Sequence, residues 1–276
     1  MIESMQDSTV LNNGLKMPWL GFGVFKVPDG EVVEQAIGHA LKTGYRSLDT
    51  AAIYGNELGV GKAMRESGVP REEIFLTTKV WNEDQRGRRT MAAFEESLER
   101  LGTDYVDLYL IHWPVKGRYK ETWKVLEEIY RSGRARAIGV SNFLVNHLED
   151  LLADAEIVPA VDQVEFHPRL LQPHLLKFCR EHGIQLEAWS PLAQGQVISE
   201  PRVQELAAKY QKSPAQIVLR WDLQHEVVTI PKSIRANRIA ENAGIFDFEL
   251  SQEDMDALDA LDAGRRVGSD PNNFSF

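Results

Sequence analysis

The sequence predicts an α/β fold: a (β/α)8 barrel of the TIM type, with an N-terminal β-hairpin and two extra helices. Three observations predict it. Short apolar runs alternate eight times with stretches of helical periodicity, which calls for parallel strands joined by crossover helices. The 276 residues suit one barrel, which typically needs about 250. No shift in composition marks a linker, so residues 1–276 are expected to form a single domain. An open doubly wound sheet is the alternative reading of the same alternation.

The elements follow in order. Val10-Leu11 and Leu15-Lys16-Met17 flank Asn12-Asn13-Gly14, and an Asn-Gly turn between apolar runs reads as a hairpin. Placed before the first repeat, it is positioned to plug one end of the barrel. Strands are expected over residues 20–24, 47–49, 75–79, 107–111, 135–140, 161–165, 185–189 and 227–230. Helices are expected over 31–43, 58–67, 90–101, 119–131, 144–153, 173–182, 214–224 and 234–242. In the third helix Met91, Phe94, Leu98 and Leu101 share one face. Gly44, Gly68, Gly133 and Gly183 fall just past helix ends, where a left-handed residue is wanted. Two further helices are suggested over 203–210 and 251–261. The tail from 264 to 276 is polar and rich in Gly, Pro and Asn, so it reads as a loop.

Composition narrows the function classes. Hydrophobic residues make up 43% and charged residues 26%, the balance of a soluble globular protein. The net charge of −10 argues against a broad basic face for nucleic acid or an anionic membrane. Cys179 is the sole cysteine, excluding an intrachain disulfide and reading as a small buried residue. The acidic N-terminus does not resemble a signal peptide, and no apolar run approaches a membrane span of about 18 residues. A cytoplasmic monomer acting on a small molecule is expected, with no metal site.

A barrel builds its active site at the C-terminal ends of its strands. Here those ends carry Asp49 and then Tyr54, Lys79 and then Trp81, His112-Trp113, Ser141-Asn142, Gln163, Trp189-Ser190 and Lys232-Ser233. Singly, each has a plainer reading: Asp49 as a helix cap, His112 as a satisfied core histidine, Tyr54 as a packed ring, Lys79 as a solvated cation. Jointly they suggest protonation of an oxygen. A partly desolvated lysine wants an anionic partner, which Asp49 can supply. A phenol near that ammonium is expected to have its pKa lowered from about 10 and to donate a proton near neutral pH. His112 can hydrogen-bond a carbonyl oxygen or relay the proton. Carbonyl reduction also needs a hydride, which a nicotinamide cofactor supplies.

The glycine-rich cofactor signatures fail. Gly21-Phe22-Gly23 lacks the third glycine of the dinucleotide fingerprint. Gly59-Val60-Gly61-Lys62 is followed by Ala63 where a phosphate loop requires Ser or Thr, so it reads as a helix start. The last unit is more informative. Lys232, Arg235 and Arg238 surround a helix start with Ser233 as a candidate cap, a setting suited to phosphate. A solvated basic helix face is the alternative. Asn142 and Gln163 can hydrogen-bond a carboxamide, and Trp189 can stack on a flat ring or pack in the core.

Five stretches in order, Gly-Tyr-Arg-Ser-Leu-Asp49-Thr-Ala-Ala-Ile-Tyr54, Leu-Thr-Thr-Lys79-Val-Trp, Asp-Leu-Tyr-Leu-Ile-His112-Trp-Pro, Ile-Gly-Val-Ser141-Asn142-Phe and Ile-Pro-Lys232-Ser233, resemble the aldo-keto reductases over about residues 9–261. Val-Trp-Asn-Glu-Asp-Gln and Glu-Ala-Trp189-Ser-Pro-Leu are similar to the bacterial glyoxal/methylglyoxal and 2,5-diketogluconate reductase branch. The resemblance implies NADPH-dependent reduction of aldehydes and ketones, with Asp49, Tyr54, Lys79 and His112 as the catalytic set and Tyr54 as proton donor. It implies that Ser141, Asn142 and Gln163 hold the carboxamide, and that Trp189 stacks on the nicotinamide. Ser190 and Leu192 would line the pyrophosphate path, Lys232, Ser233 and Arg238 would hold the 2′-phosphate, and Asn242 the adenine. Phe25, Trp81 and Trp113, with His112, would wall the substrate pocket. The short tail suggests an open pocket and broad specificity. Two other functions stay open: a Schiff-base aldolase using Lys79, and an NADPH-binding regulatory barrel with little turnover.

Overall fold

The structure, a computed structural model, describes residues 2–276. A two-stranded antiparallel hairpin, β1 (Ser8–Val10) and β2 (Lys16–Pro18), precedes eight parallel strands. These are β3 (Phe22–Gly23), β4 (Ser47–Asp49), β5 (Phe75–Val80), β6 (Val106–Ile111), β7 (Ala135–Ser141), β8 (Val161–Glu165), β9 (Gln185–Trp189) and β10 (Val228–Thr229). Each strand pairs with its neighbours in sequence, from β3 through to β10. Leu20 bridges Thr229, and Gly21 N–H donates to the Thr229 carbonyl at 2.9 Å. The first strand therefore meets the last. Unbroken sequential order with closure is a barrel and excludes the doubly wound sheet, whose strand order reverses at a switch point.

Helices α1 (Glu31–Thr43), α2 (Glu57–Glu66), α4 (Thr90–Leu101), α5 (Tyr119–Arg131), α6 (Val145–Leu152), α7 (Pro173–Glu181), α9 (Pro214–Gln224) and α10 (Ala236–Ala243) fill the eight crossover positions. The extra helices α8 (Pro201–Tyr210) and α11 (Gln252–Asp259) are present. The short α3 (Asn82–Arg86), after β5, was not expected, because five polar residues carry no apolar period. Local chemistry sets several ends. Ser213 caps α9 in a reciprocal capping box with Gln216, and Pro214 follows at the first turn. Gly44, Gly68, Gly133 and Gly183 all have positive φ, as their places after helices predicted. Gly61 lies inside α2, where a Cβ would sit 2.1 Å from the Leu101 carbonyl oxygen. That glycine serves close approach of α2 to α4, not a phosphate loop.

The hairpin plugs the N-terminal end of the barrel. Leu11 and Met17 join Phe75, Leu108, Leu110, Ala137, Val161 and Val228 in one buried apolar cluster. Asn12 and Asn13 side-chain amides donate to the carbonyls of Pro159 and Arg136, satisfying strand-entry groups at the rim of that plug. No helix among the described residues is long and apolar enough to cross a membrane.

Candidate active site

Alternation along the strands builds the opposite end. On β5 the residues sharing one face are Phe75, Thr77 and Lys79, so the strand passes from the apolar plug to a cation in two steps. Lys79 is 0% exposed. Its Nζ donates to both oxygens of Asp49, at 2.7 and 2.8 Å, and to the Thr50 carbonyl at 2.9 Å. All three ammonium protons are thereby used. Asp49 Oδ2 also accepts from Gln163 Nε2 at 2.7 Å. The cap and solvated-lysine readings of Asp49 and Lys79 are thus replaced by a buried ion pair. Burial works most strongly against the Lys79 ammonium, but Asp49, Tyr54 and Glu187 together outweigh it, and the pKa lies above the ordinary lysine value. An amine held in this way is a permanent cation rather than the free base that a Schiff base requires.

Tyr54 follows β4 in a short 3-10 turn that ends at Gly55. Lys79 Nζ lies 5.1 Å from the centre of its ring, and the His112 ring lies 5.7 Å away, edge on. Burial pushes the Tyr54 phenol up to about 12, opposed only in part by Lys79. Lys79 does lower it, as expected, but burial is the larger effect and turns the expected net fall into a rise. Asp49, paired with that ammonium, adds a smaller upward push of its own. His112 is buried, and burial together with the Lys79 charge holds its imidazole well below the ordinary histidine value. The ring is neutral at neutral pH, so it is a hydrogen-bonding group there.

The amide-bearing residues cluster beside these. Asn142, with φ of 63°, donates from Nδ2 to the His112 carbonyl at 2.9 Å and accepts from Trp189 Nε1 at 2.9 Å. Ser141 Oγ donates to the Gln163 carbonyl at 2.7 Å. Each of Ser141, Asn142 and Gln163 keeps an acceptor lone pair for a further partner. Trp189 and Leu192 are partly buried, and Ser190 adopts φ of 48° at the turn that follows β9. Lys232, Arg235 and Arg238 are exposed and have no carboxylate within ion-pair distance among the described residues, while Ser233 and Asn242 are buried. Ser233 is not the helix cap. The α10 helix begins at Ala236 with Arg235 at the N-cap position, and Ser233 Oγ instead accepts from the Arg235 N–H at 3.1 Å in a local turn.

The aromatic wall assembles. Phe25, 51% exposed, lies 4.9 Å from Tyr54, and Trp81 lies 5.1 Å from His112. The tail reaches this wall despite its shortness. Phe276 stacks on Trp81 with an interplanar angle of 2° and meets Trp113 edge on, and Phe274 lies 5.1 Å from Trp113. The pocket is therefore partly covered, not open as the short tail suggested. Glu165 anchors the tail by accepting from the Val267 and Gly268 N–H groups at 2.6 and 3.0 Å. A Cβ at Gly268 would come within 2.4 Å of the Trp189 indole, so only glycine lets the tail lie against that ring. The roles of Glu165, Phe274 and Phe276 were missed. Loop contacts carry no period and leave no sequence signal. Glu187 was missed although it had one: it shares a strand face with Trp189.

A family model described as "Aldo/keto reductase family" matches residues 20–263. The chain belongs to the aldo/keto reductase family. It is 61% identical over 276 residues to a glyoxal reductase of Bacillus subtilis (strain 168), covering 100% of both chains. It is 46% identical over 268 residues to methylglyoxal reductase DkgA of Salmonella typhimurium, covering 96% of each. Among solved structures, a mutant of Gox0644 in complex with NADPH superposes with a TM-score of 0.92 at 44% identity, covering 98% of this chain and 99% of that one. The barrel and its position in a family of reductases agree with the expectations drawn from the sequence.

Proposed function

We propose that residues 1–276 act as one aldo-keto reductase domain that reduces small aldehydes and ketones with NADPH, Tyr54 giving up the proton. The observation that carries this reading is the phenol set over a buried, fully paired Lys79–Asp49 couple, beside a neutral imidazole, at the mouth of a barrel. When bound, NADPH supplies the hydride that no side chain can. Free acceptors on Ser141, Asn142 and Gln163 suit a carboxamide N–H pair, the Trp189 face suits a flat ring, and the unpaired cations Lys232 and Arg238 suit a phosphate. The residues present therefore fit the cofactor. Ser190 and Leu192 line the path between those sites, and Asn242 suits the adenine.

The carbonyl oxygen is received by Tyr54 and His112. As negative charge develops on it, the Tyr54 hydroxyl donates its proton, and Lys79 stabilises the charge left on the phenol. A phenol of raised pKa stays protonated across the physiological range and is still far more acidic than the alcohol that forms, so it is a competent donor to the developing alkoxide. Phe25, Trp81 and Trp113, joined by Phe276, exclude water and favour small or flat carbonyls. The names of the relatives support glyoxal and methylglyoxal as candidates.

The test is steady-state oxidation of NADPH, with NADH in parallel, against glyoxal, methylglyoxal and a panel of aromatic aldehydes. Aldehyde-dependent consumption that prefers NADPH is expected. Tight NADPH binding without consumption would overturn the enzyme reading in favour of a regulatory module.

A further inference from the structure

Beneath the mouth, a second carboxyl group lies outside the set just described. Glu187 on β9 is 0% exposed, and its Oε2 accepts from Gln163 Nε2 at 2.7 Å. The same Nε2 donates to Asp49 Oδ2 at 2.7 Å. An amide nitrogen has two protons and no acceptor capacity. Both protons of Gln163 are therefore spent on two carboxyl groups, one on either side. Turning the amide over would face its oxygen toward both, so the flip is forbidden as long as both acceptors are present. The acceptor Oε1 is left for whatever occupies the mouth. Glu187 Oε1 is buried with no hydrogen-bond partner among the described residues, which an ionised carboxylate would not tolerate cheaply.

We infer that Glu187 is a positioning residue: acting through Gln163, it fixes that amide with its oxygen turned to the nicotinamide carboxamide, and it must be protonated for fast proton donation at Tyr54. The inference rests on the proposed function, in which Gln163 receives the carboxamide. Its electrostatic side follows from what faces Glu187. Asp49 on β4 and Lys79 on β5 oppose one another in charge, Tyr54 sits above them, β8 presents the neutral Gln163, and β10 pairs the apolar Val228 with it. A neutral Glu187 leaves the Lys79–Asp49 couple balanced. An ionised one adds a buried negative charge that opposes the charge developing on the carbonyl oxygen and the phenol. Burial, reinforced by Asp49, pushes Glu187 up to about 8, against the weaker pull of Gln163 and Lys79. Ionisation strengthens its hydrogen bond to Gln163, so alkaline pH is expected to slow turnover without loosening the cofactor.

The test compares Glu187→Gln and Glu187→Leu with wild type, using tryptophan fluorescence for the NADPH dissociation constant and a pH series for kcat. In wild type, kcat falls as pH rises through about 8 while the dissociation constant holds. Glu187→Leu leaves the Gln163 amide held by Asp49 alone and raises the dissociation constant about tenfold, the worth of one hydrogen bond to a fixed partner. Glu187→Gln keeps an acceptor for Gln163, restores the affinity lost in Glu187→Leu, and abolishes the alkaline fall in kcat. Infrared difference spectra of the cofactor-free protein across the same pH range show loss of a protonated carboxyl band that is missing in Glu187→Gln. The inference is overturned if Glu187→Gln keeps the alkaline fall, if the infrared change persists in it, or if folded Glu187→Leu binds NADPH as tightly as wild type. A wild type that binds no NADPH, or consumes none with any aldehyde, overturns the proposed function instead. The infrared titration then still decides the protonation of Glu187.

Discussion

The two ends of this barrel are built from the same strands and obey opposite rules. At the N-terminal end Leu11, Met17, Phe75, Leu108, Val161 and Val228 form a dry layer in which no side chain asks for a partner. At the mouth Asp49, Lys79, Gln163 and Glu187 are as deeply buried and entirely polar. Along β5 Lys79 stands four positions after Phe75 of the plug, and along β8 Gln163 stands two positions after Val161. Burying the mouth groups costs free energy that pairing recovers only in part. The apolar end offsets that cost by area removed from water. Stability and chemistry are thus expected to separate along the barrel axis, and substitutions at the two ends should fail in different assays.

The sharpest break in that comparison is Tyr54→Phe. It removes one oxygen from the mouth and nothing from the core. Carbonyl reduction is expected to fall by about 10²- to 10⁴-fold, the usual contribution of a positioned acid, which corresponds to about 3–5 kcal/mol. The thermal midpoint and NADPH affinity should stay near wild type. Near-normal turnover, measured as NADPH oxidation at saturating aldehyde, would remove Tyr54 from the chemistry.

Met17→Ala is the mirror experiment. The side chain is 0% exposed in the plug, and its truncation is expected to cost about 2–5 kcal/mol of stability. Turnover per folded molecule should be unchanged below the melting transition. Denaturant unfolding checks the first point and active-site-normalised kcat the second. A large loss of kcat in folded protein would mean that the two ends are mechanically coupled.

The plug was legible in the sequence because turn chemistry and alternation are local: Asn12-Asn13-Gly14 and the period-two strands required no knowledge of distant partners. Asp49, Tyr54, Lys79 and His112 were legible for a different reason. Each stands at or just after a strand end, and a barrel brings strand ends together. What stayed hidden was the balance of forces within the cluster. Strand-end placement put beside Tyr54 a cation that does lower its pKa, but it could not tell that burial of the phenol would outweigh that cation, so the sign of the net shift came out reversed. The tail was hidden altogether. Phe274 and Phe276 meet Trp113 and Trp81 across the mouth through a loop whose path depends on Glu165 holding two backbone N–H groups.

A smaller effect is expected at the outer edge of the mouth. Lys232 and Arg238 are exposed and unpaired among the described residues, so removing either should leave stability unchanged. Lys232→Ala or Arg238→Ala should weaken NADPH by about tenfold, one charge-assisted contact of about 1.5 kcal/mol, and weaken NADH much less. Paired titrations with the two cofactors decide it. Equal weakening would argue against a 2′-phosphate site there.

The smallest effect is an absence of change, and it follows from freezing charge in the mouth. His112 is held well below its ordinary pKa by burial and by Lys79, Lys79 is held above its own, and Tyr54 is pushed up to about 12. None of the three changes charge between pH 6 and 7.5. These three groups therefore put no limb into the rate profile, kcat/KM against pH with NADPH saturating, across that interval, and the only fall expected toward its upper end is the onset of Glu187 ionisation. Stability should not be flat. Below about pH 6.5 an unfolded His112 takes up a proton that the folded one refuses, so the unfolded state binds more protons and the protein loses stability as the solution is acidified. An acid limb in the rate profile near 6.5 would mean that His112 does take a proton in the folded mouth. The imidazole would then have to be a proton relay rather than a fixed hydrogen-bonding group, and the mouth would not be as dry as the plug beneath it.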